Sequence, residues 1–113
     1  MQVRAVELLP EVVTASALFG PPNERLALIV ADARRYVRAD RRRYDVIVSD
    51  NFHPARSGSA ALYTVEHFRA VRERLAADGL FCQWLPLHQL DLASLRSIVR
   101  SFITVYQIGR AHV

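Results

Sequence analysis

Residues 44–62 read YDVIVSDNFHPARSGSAAL, and the switch from apolar to polar inside that stretch decides the fold. Val46, Ile47 and Val48 form a β-branched run that ends abruptly at Ser49-Asp50, and a polar loop with Pro54 and Gly58 follows. β-branched side chains suit a pleated backbone, and an unbroken apolar run suits a strand buried on both faces. The stretch therefore predicts a parallel strand over residues 44–49 that delivers the Asp50 carboxylate to its C-terminal end. In open α/β sheets the ligand crevice lies at that edge, so an acid there is placed for chemistry. The plainer alternative is that Asp50 caps the next turn.

Outward from this strand the chain alternates strand and helix. A strand over residues 2–8 contains Glu7 near its end. Pro10 sits at a favourable first helical position, and the helix runs over residues 10–19 to a stop at Gly20. Gly20-Pro21-Pro22-Asn23 is a turn. Residues 26–30 are a second apolar strand, followed by Ala31-Asp32 and a short helix over residues 34–39. Beyond the polar loop, Thr64 is a helix N-cap, and Glu66, like Glu11 earlier, puts negative charge in a first turn. That helix covers residues 65–77, with Phe68, Val71 and Leu75 on one face, and Asp78-Gly79 reads as its C-cap. Residues 80–85 are a fourth strand. Asp91 caps a last helix whose Leu92, Leu95, Val99 and Phe102 form an apolar stripe. Strands alternating with helices imply βαβ units and a parallel sheet covered on both faces. The fold class is α/β, of the doubly wound Rossmann-like type. There is no internal repeat and no low-complexity segment.

A chain of 113 residues that is 51% apolar holds one modest domain with a core. Its formal net charge is +4, and every basic residue is arginine. Arginine and alanine share GC-rich codons, so the bias reflects genome composition as readily as a partner. Arg34, Arg35 and Arg38 precede Arg41-Arg42-Arg43, without the interleaved aromatics or motif spacing of a nucleic-acid site. A solvated helix face and loop is the preferred reading, and no nucleic-acid partner is expected. Cys82 is alone, which excludes a disulfide framework and a cysteine metal cluster. Within GLFCQWL it is expected to be an inert core thiol. The four histidines show no ligand spacing, so no metal is expected, and His67 and His88 read as surface or capping residues. With no signal peptide or membrane-spanning run, a cytoplasmic, reducing location is expected.

Three strand ends in succession carry acids: Glu7, Asp32 and Asp50. In a doubly wound sheet those ends line one edge. Glu7 suits bidentate acceptance from ribose hydroxyls, as the acid after the second strand does in nucleotide-binding α/β folds. Asp32 suits an exocyclic amine such as adenine N6. Asp50 then faces the reacting end of the ligand.

With these residues in place the chain resembles the polyamine aminopropyltransferases, the spermidine/spermine synthase family. The matching pieces are VELLPEVV, VADARRYV, YDVIVSDNFHPARSGSAALYTVEHF and LAADGLFCQWLPL, in the family's order and spacing. The family shares the core of S-adenosylmethionine-dependent methyltransferases. The resemblance implies that Glu7 holds the ribose of the donor nucleoside, and that Asp32, followed by Ala33, lies beside its adenine. It implies that Asp50 is the base for the attacking amine and that Tyr63 packs. Gln83 and Trp84 match the family's QW pair and are assigned, with His53, to the acceptor side. His53 stands where the family usually carries a second acid that helps hold the cationic polyamine, and Leu9 stands where many members have Asp. A changed acceptor or weak activity follows from those departures.

The implied donor is decarboxylated S-adenosylmethionine, a co-substrate, with no resident cofactor. Its sulfonium makes the adjacent propyl carbon electrophilic. A polyamine such as putrescine attacks only when deprotonated, so a carboxylate must take its proton. Two alternatives stand beside this reading. One is a methyltransferase of the same fold using intact S-adenosylmethionine. The other is a catalytically silent domain that binds nucleoside or regulates an attached transporter. The version NFHPARSG is similar to spermidine-synthase-like domains of large bacterial proteins, some fused to membrane domains, and the parent is expected to be homo-oligomeric or so fused.

The ends carry one more expectation. Residues 1–106 read as a partial catalytic core without the glycine-rich turn that approaches the donor, so this segment alone is expected to be inactive. Residues 108–113, IGRAHV, match the translation of a common sequencing adapter, whose leading bases also complete a codon for Gln107. Residues 107–113 are therefore expected not to be biological.

Overall fold

A computed structural model describes residues 1–50 and 60–106. The chain has an α/β fold that divides into two compact units, residues 1–39 and residues 40–113. Each unit carries its own two-stranded parallel sheet.

In the first unit β1 (Val3–Glu7) pairs with β2 (Leu26–Val30) in a register running from Val3 opposite Leu26 to Glu7 opposite Val30. The helix between them begins at Pro10 as expected but stays α-helical only through Ala15 (α1, Pro10–Ala15). It tightens to a 3₁₀ turn over Ser16–Phe19, and Gly20 leaves it at φ 142°. Tightening of this kind is common in a last turn, where the final carbonyls lack α-helical partners. α2 (Ala33–Ala39) starts one residue earlier than predicted because Asp32 caps it. No described residue of this unit is fully buried. Leu26, Leu28 and Val30, which alternate onto one face of β2, are 39–50% exposed.

The core lies in the second unit. β3 (Tyr44–Ser49) has the predicted bounds. α3 (Val65–Glu73) is capped by Thr64, whose Oγ1 accepts from the His67 amide at 3.2 Å. The helix closes at Arg74, short of the predicted Ala77, and Leu75 leaves it to pair with Tyr44. β4 therefore spans Leu75–Gln83 rather than residues 80–85. Its pairing with β3 is interrupted: Tyr44 lies opposite Leu75 and Val46 opposite Leu80, so Asp45 alone faces Ala76 through Gly79. Asp78-Gly79 is thus the turn of a bulge, not a helix C-cap. Asp78 takes φ 61°, and a Cβ on Gly79 would sit 2.9 Å from the Ala76 carbonyl oxygen and 3.1 Å from that of Tyr44. Asp-Gly is as suited to such a bulge as to a helix end, since both need a residue tolerating positive φ.

α4 (Leu92–Val105) is capped as predicted, with Asp91 Oδ1 accepting from the Ser94 amide at 2.6 Å. Its buried stripe is rotated from the expected one. Ile98 and Val105 are buried, with Leu95 and Phe102 partly so, whereas Leu92 and Val99 are exposed. Phe68, with no exposed surface, meets Phe102 edge-on at 5.4 Å and Phe81 at 6.1 Å. Tyr106 extends this cluster onto Phe102 at 4.7 Å, and its hydroxyl donates to the Phe68 carbonyl at 3.1 Å. Burial raises the Tyr106 pKa well above its ordinary value, with Arg72 opposing that rise. Tyr63 joins the same core at 5% exposure, in keeping with a packing role. His67 is also buried, a correction to its reading as a surface or capping residue; His88 is exposed.

β4 alternates strictly beyond the bulge. Phe81 and Gln83 turn inward, and Leu80 and Cys82 turn outward. Cys82 is exposed, so it is not a core thiol. Val46 and Val48 face the same way at 58% and 67% exposure. One face of the β3–β4 pair meets the core and the other presents apolar side chains to solvent.

Candidate active site at the strand ends

Parallel strands end together, so the residues just past them share an edge. β1 and β2 run in register to Glu7 and Val30, which brings Glu7 and Asp32 to one edge of the first unit. Glu7 Oε1 accepts from the Leu9 amide at 3.0 Å, which fixes the carboxylate over the strand end. Asp32 Oδ1 accepts from the amides of Arg34 and Arg35 at 2.9 and 3.2 Å. One oxygen of each carboxylate is thus engaged by backbone, and among the described residues no hydrogen bond holds the other. Ala33, the first residue of α2, follows directly. This acid pair, with one oxygen each left to accept, suits a ligand carrying hydroxyl or amine donors.

The second edge belongs to the second unit. Ser49 lies opposite Gln83, and Asp50 and Trp84 follow as the next residues of their strands. The Ser49 carbonyl accepts from the Trp84 amide at 2.8 Å and from Gln83 Nε2 at 3.3 Å. Gln83 Nε2 also donates to the Trp84 carbonyl at 2.9 Å. Both amide hydrogens of Gln83 are thereby used, and its Oε1 is left buried without a hydrogen-bond partner among the described residues. Asp50 is exposed, and Trp84 is 62% exposed. His53 and the suspect residues 107–113 lie outside the described residues.

The predicted site residues therefore gather as two sets, Glu7 with Asp32 and Ala33, and Asp50 with Gln83 and Trp84. Among the described residues no group of three or more histidine, cysteine or acidic side chains is arranged to hold a metal. No helix of the described residues is long and apolar enough to cross a membrane.

One acid that the sequence reading does not single out is closely tied by hydrogen bonds. Asp40 is 9% exposed and sits at the opposite, N-terminal end of β3. It accepts from the Tyr44 hydroxyl, from the Arg42 amide at 3.1 Å and from the Arg42 guanidinium at 3.2 Å. Arg74 donates to its backbone carbonyl. Burial pushes the carboxyl up, but the Tyr44 and Arg42 hydrogen bonds and the Arg42 charge outweigh it and hold the pKa below its ordinary 3.8. The signal was present as D-x-R-x-Y over residues 40–44. The arginine run hid it by reading as a solvated surface, which Arg41, Arg42 and Arg43 otherwise are.

Comparison with known proteins identifies the family of the chain. The spermine/spermidine synthase domain family matches residues 8–108, and the chain belongs to that family. It is 43% identical over 92 residues to polyamine aminopropyltransferase 2 of Hyperthermus butylicus, covering 80% of this chain and 30% of that protein. It is 37% identical over 102 residues to the polyamine aminopropyltransferase of a Synechococcus strain, covering 88% and 31%. A spermidine synthase crystallised with the transition-state analogue AdoDATO shares the fold at a TM-score of 0.80 and 24% identity, over 95% of this chain and 39% of that one. The chain thus spans about a third of the length of these relatives.

Proposed function

We propose that this chain is part of an aminopropyltransferase that moves an aminopropyl group from decarboxylated S-adenosylmethionine to a polyamine such as putrescine. The observation that carries the reading is the family match over residues 8–108, which takes in Asp32, Asp50, Gln83 and Trp84. The whole is read as a doubly wound core of the S-adenosylmethionine-dependent methyltransferase type, acting in the cytoplasm on small molecules.

In this reading Glu7 accepts from the ribose hydroxyls, and Asp32, with Ala33 beside it, accepts from the adenine amine. The acceptor amine lies at the Asp50 edge, near Gln83 and Trp84, and His53 is assigned to the acceptor side by the family resemblance. Asp50 takes a proton from the ammonium, and the freed nitrogen lone pair attacks the propyl carbon attached to sulfur. The carbon–sulfur bond breaks, its electrons neutralise the sulfonium, and a thioether nucleoside leaves. The carboxylate also attracts and orients the cationic amine before it acts as base.

The test is Asp50→Asn in the enzyme that carries this segment, assayed for transfer of the aminopropyl group with each donor. Loss of a general base lowers turnover by about 10²- to 10⁴-fold. Turnover within about threefold of the parent removes Asp50 from the role of base. Methyl transfer from intact S-adenosylmethionine, without aminopropyl transfer, replaces the reading with a methyltransferase.

A further inference from the structure

The second unit holds an open cavity of about 500 Å³ that none of the strand-end residues lines. One wall is a stripe of α4, Arg96, Ser97, Arg100, Ser101 and Thr104, and Val65 from the first turn of α3 stands beside it. Spacings of three and four residues put these side chains on one face of a helix. That face is turned away from the core: Ile98 and Val105 are buried, whereas Arg96, Ser97, Arg100 and Thr104 are exposed. A volume of this size lies in the range of small-molecule sites.

Charge sets this face apart. α4 carries two arginines and no acid in its 14 residues. In α3, by contrast, Arg69 lies three residues from Glu66 and four from Glu73, so its charge is balanced on the same helix. Arg96 and Arg100 are one turn apart, where like charges repel. Among the described residues no hydrogen bond or ion pair engages either guanidinium, and no acidic side chain lines the cavity. The Ser101 and Thr104 hydroxyls donate to the Ser97 and Arg100 carbonyls at 3.1 and 2.7 Å, so their hydrogens are spent inside the helix. The Ser97 hydroxyl has no such commitment among the described residues and is left to donate. Two guanidinium forks and a hydroxyl thus face one cavity, and a guanidinium fork matches phosphoryl oxygens two at a time. One phosphoryl group satisfies one fork; two adjacent groups satisfy both. We infer that this face of α4 is a binding site for a diphosphate, with Arg96 and Arg100 each holding one phosphoryl group and Ser97 donating between them. The site lies apart from the strand-end acids and does not depend on the proposed function. Val65 adds an apolar contact that an alkyl ester of diphosphate uses and the free ion does not.

The experiment titrates the 113-residue chain with inorganic pyrophosphate in a calorimeter. Salt is held at about 0.15 M, where exposed charges more than about 8 Å apart are largely screened. The expected result is saturable one-to-one binding, with inorganic phosphate at least about tenfold weaker because it engages one fork. Arg96→Gln and Arg100→Gln each weaken pyrophosphate about tenfold, the scale of a lost charge-assisted hydrogen bond. Both side chains are exposed, so circular dichroism of the variants stays that of the parent. Arg69→Gln removes the same charge from α3 outside the cavity and leaves affinity within about twofold. Butyl diphosphate separates the two sources of the ligand. Tighter binding than pyrophosphate identifies an organic diphosphate ester, weaker binding identifies the free ion, and either supports the site where both arginines are needed. No saturable heat at millimolar pyrophosphate, equal affinity for phosphate, or unchanged affinity in Arg96→Gln and Arg100→Gln each overturn the inference. So does a loss in Arg69→Gln as large as in Arg96→Gln, since the ligand then senses net charge alone.

Discussion

Replacing Phe68 with alanine tests whether the second unit is held by its aromatic cluster. Phe68 has no exposed surface and touches three elements through its neighbours: Phe81 on β4, Phe102 on α4, and Tyr63 before α3. Truncation removes the buried ring and leaves a cavity under the inner face of β4; a change of this kind costs about 3–5 kcal/mol. Part of that is the edge-on contact with Phe102, for which about 0.5–1.5 kcal/mol is typical. Collapse of the site is limited, because Phe81, Phe102 and Tyr106 already rest on one another at 4.7–5.8 Å. Domains of this size hold about 5–15 kcal/mol in total, so the loss is a large share of it. Urea unfolding followed by far-ultraviolet circular dichroism is the appropriate assay, since Trp84 is exposed when folded and its emission is a poor reporter of unfolding. Phe68→Leu should recover more than half of the loss. A midpoint shift equivalent to less than about 1 kcal/mol for Phe68→Ala would refute this account of the core.

Three further changes probe separate features. Gly79→Ala forces a methyl group against the Ala76 and Tyr44 carbonyls and should destabilise by about 1–3 kcal/mol in the same urea assay; no loss would show that the bulge is not tightly packed. Asp40 has a folded pKa below its ordinary 3.8, so its contribution is fully present above about that pH and is lost as pH falls through the lower folded value. Asp40→Asn should therefore flatten the acid limb of the stability profile, and an unchanged limb would assign acid sensitivity to other carboxylates. Tyr106 has the opposite sign: its raised pKa gives stability that is present below pH 10.0 and is lost as pH rises above it toward the folded value, so Tyr106→Phe should weaken the alkaline limb of the unfolding profile.

Where a single backbone pattern determined an element, the sequence was enough. β2 and β3 have their predicted bounds because β-branched runs end at polar residues, and the Thr64 and Asp91 caps are seen as side-chain acceptors. The errors came where one signal serves two structures. Asp-Gly fits a helix end and a bulge alike, and only the pairing of Leu75 with Tyr44 selects the bulge. In α4 the apolar residues wrap more than one face, and the packing of Ile98 and Val105 against α3 decides which is buried. Cys82 looked like a core residue because GLFCQWL is apolar apart from Gln83. Period-2 alternation sends it outward, and composition carries no phase.

The two acids that flank β3 show how an edge acid is told from a structural one. Asp40 and Asp50 flank the same strand, and by residue type alone they are equivalent. At the N-terminal end, Asp40 is buried and its oxygens are committed to Tyr44 and Arg42, so ionisation there stabilises a chain junction and leaves nothing to accept a substrate proton. At the C-terminal end, Asp50 is exposed, and among the described residues no hydrogen bond engages it. A base must both reach solvent-delivered substrate and hold an oxygen in reserve, and of these two acids Asp50 is the one whose exposure supports the proposed role. The direction of the strand makes the difference: in a parallel sheet the carboxyl ends open onto a common edge where ligands bind. Measuring Asp40→Asn and Asp50→Asn side by side separates the roles, since the first should move stability with little effect on amine binding and the second should do the reverse.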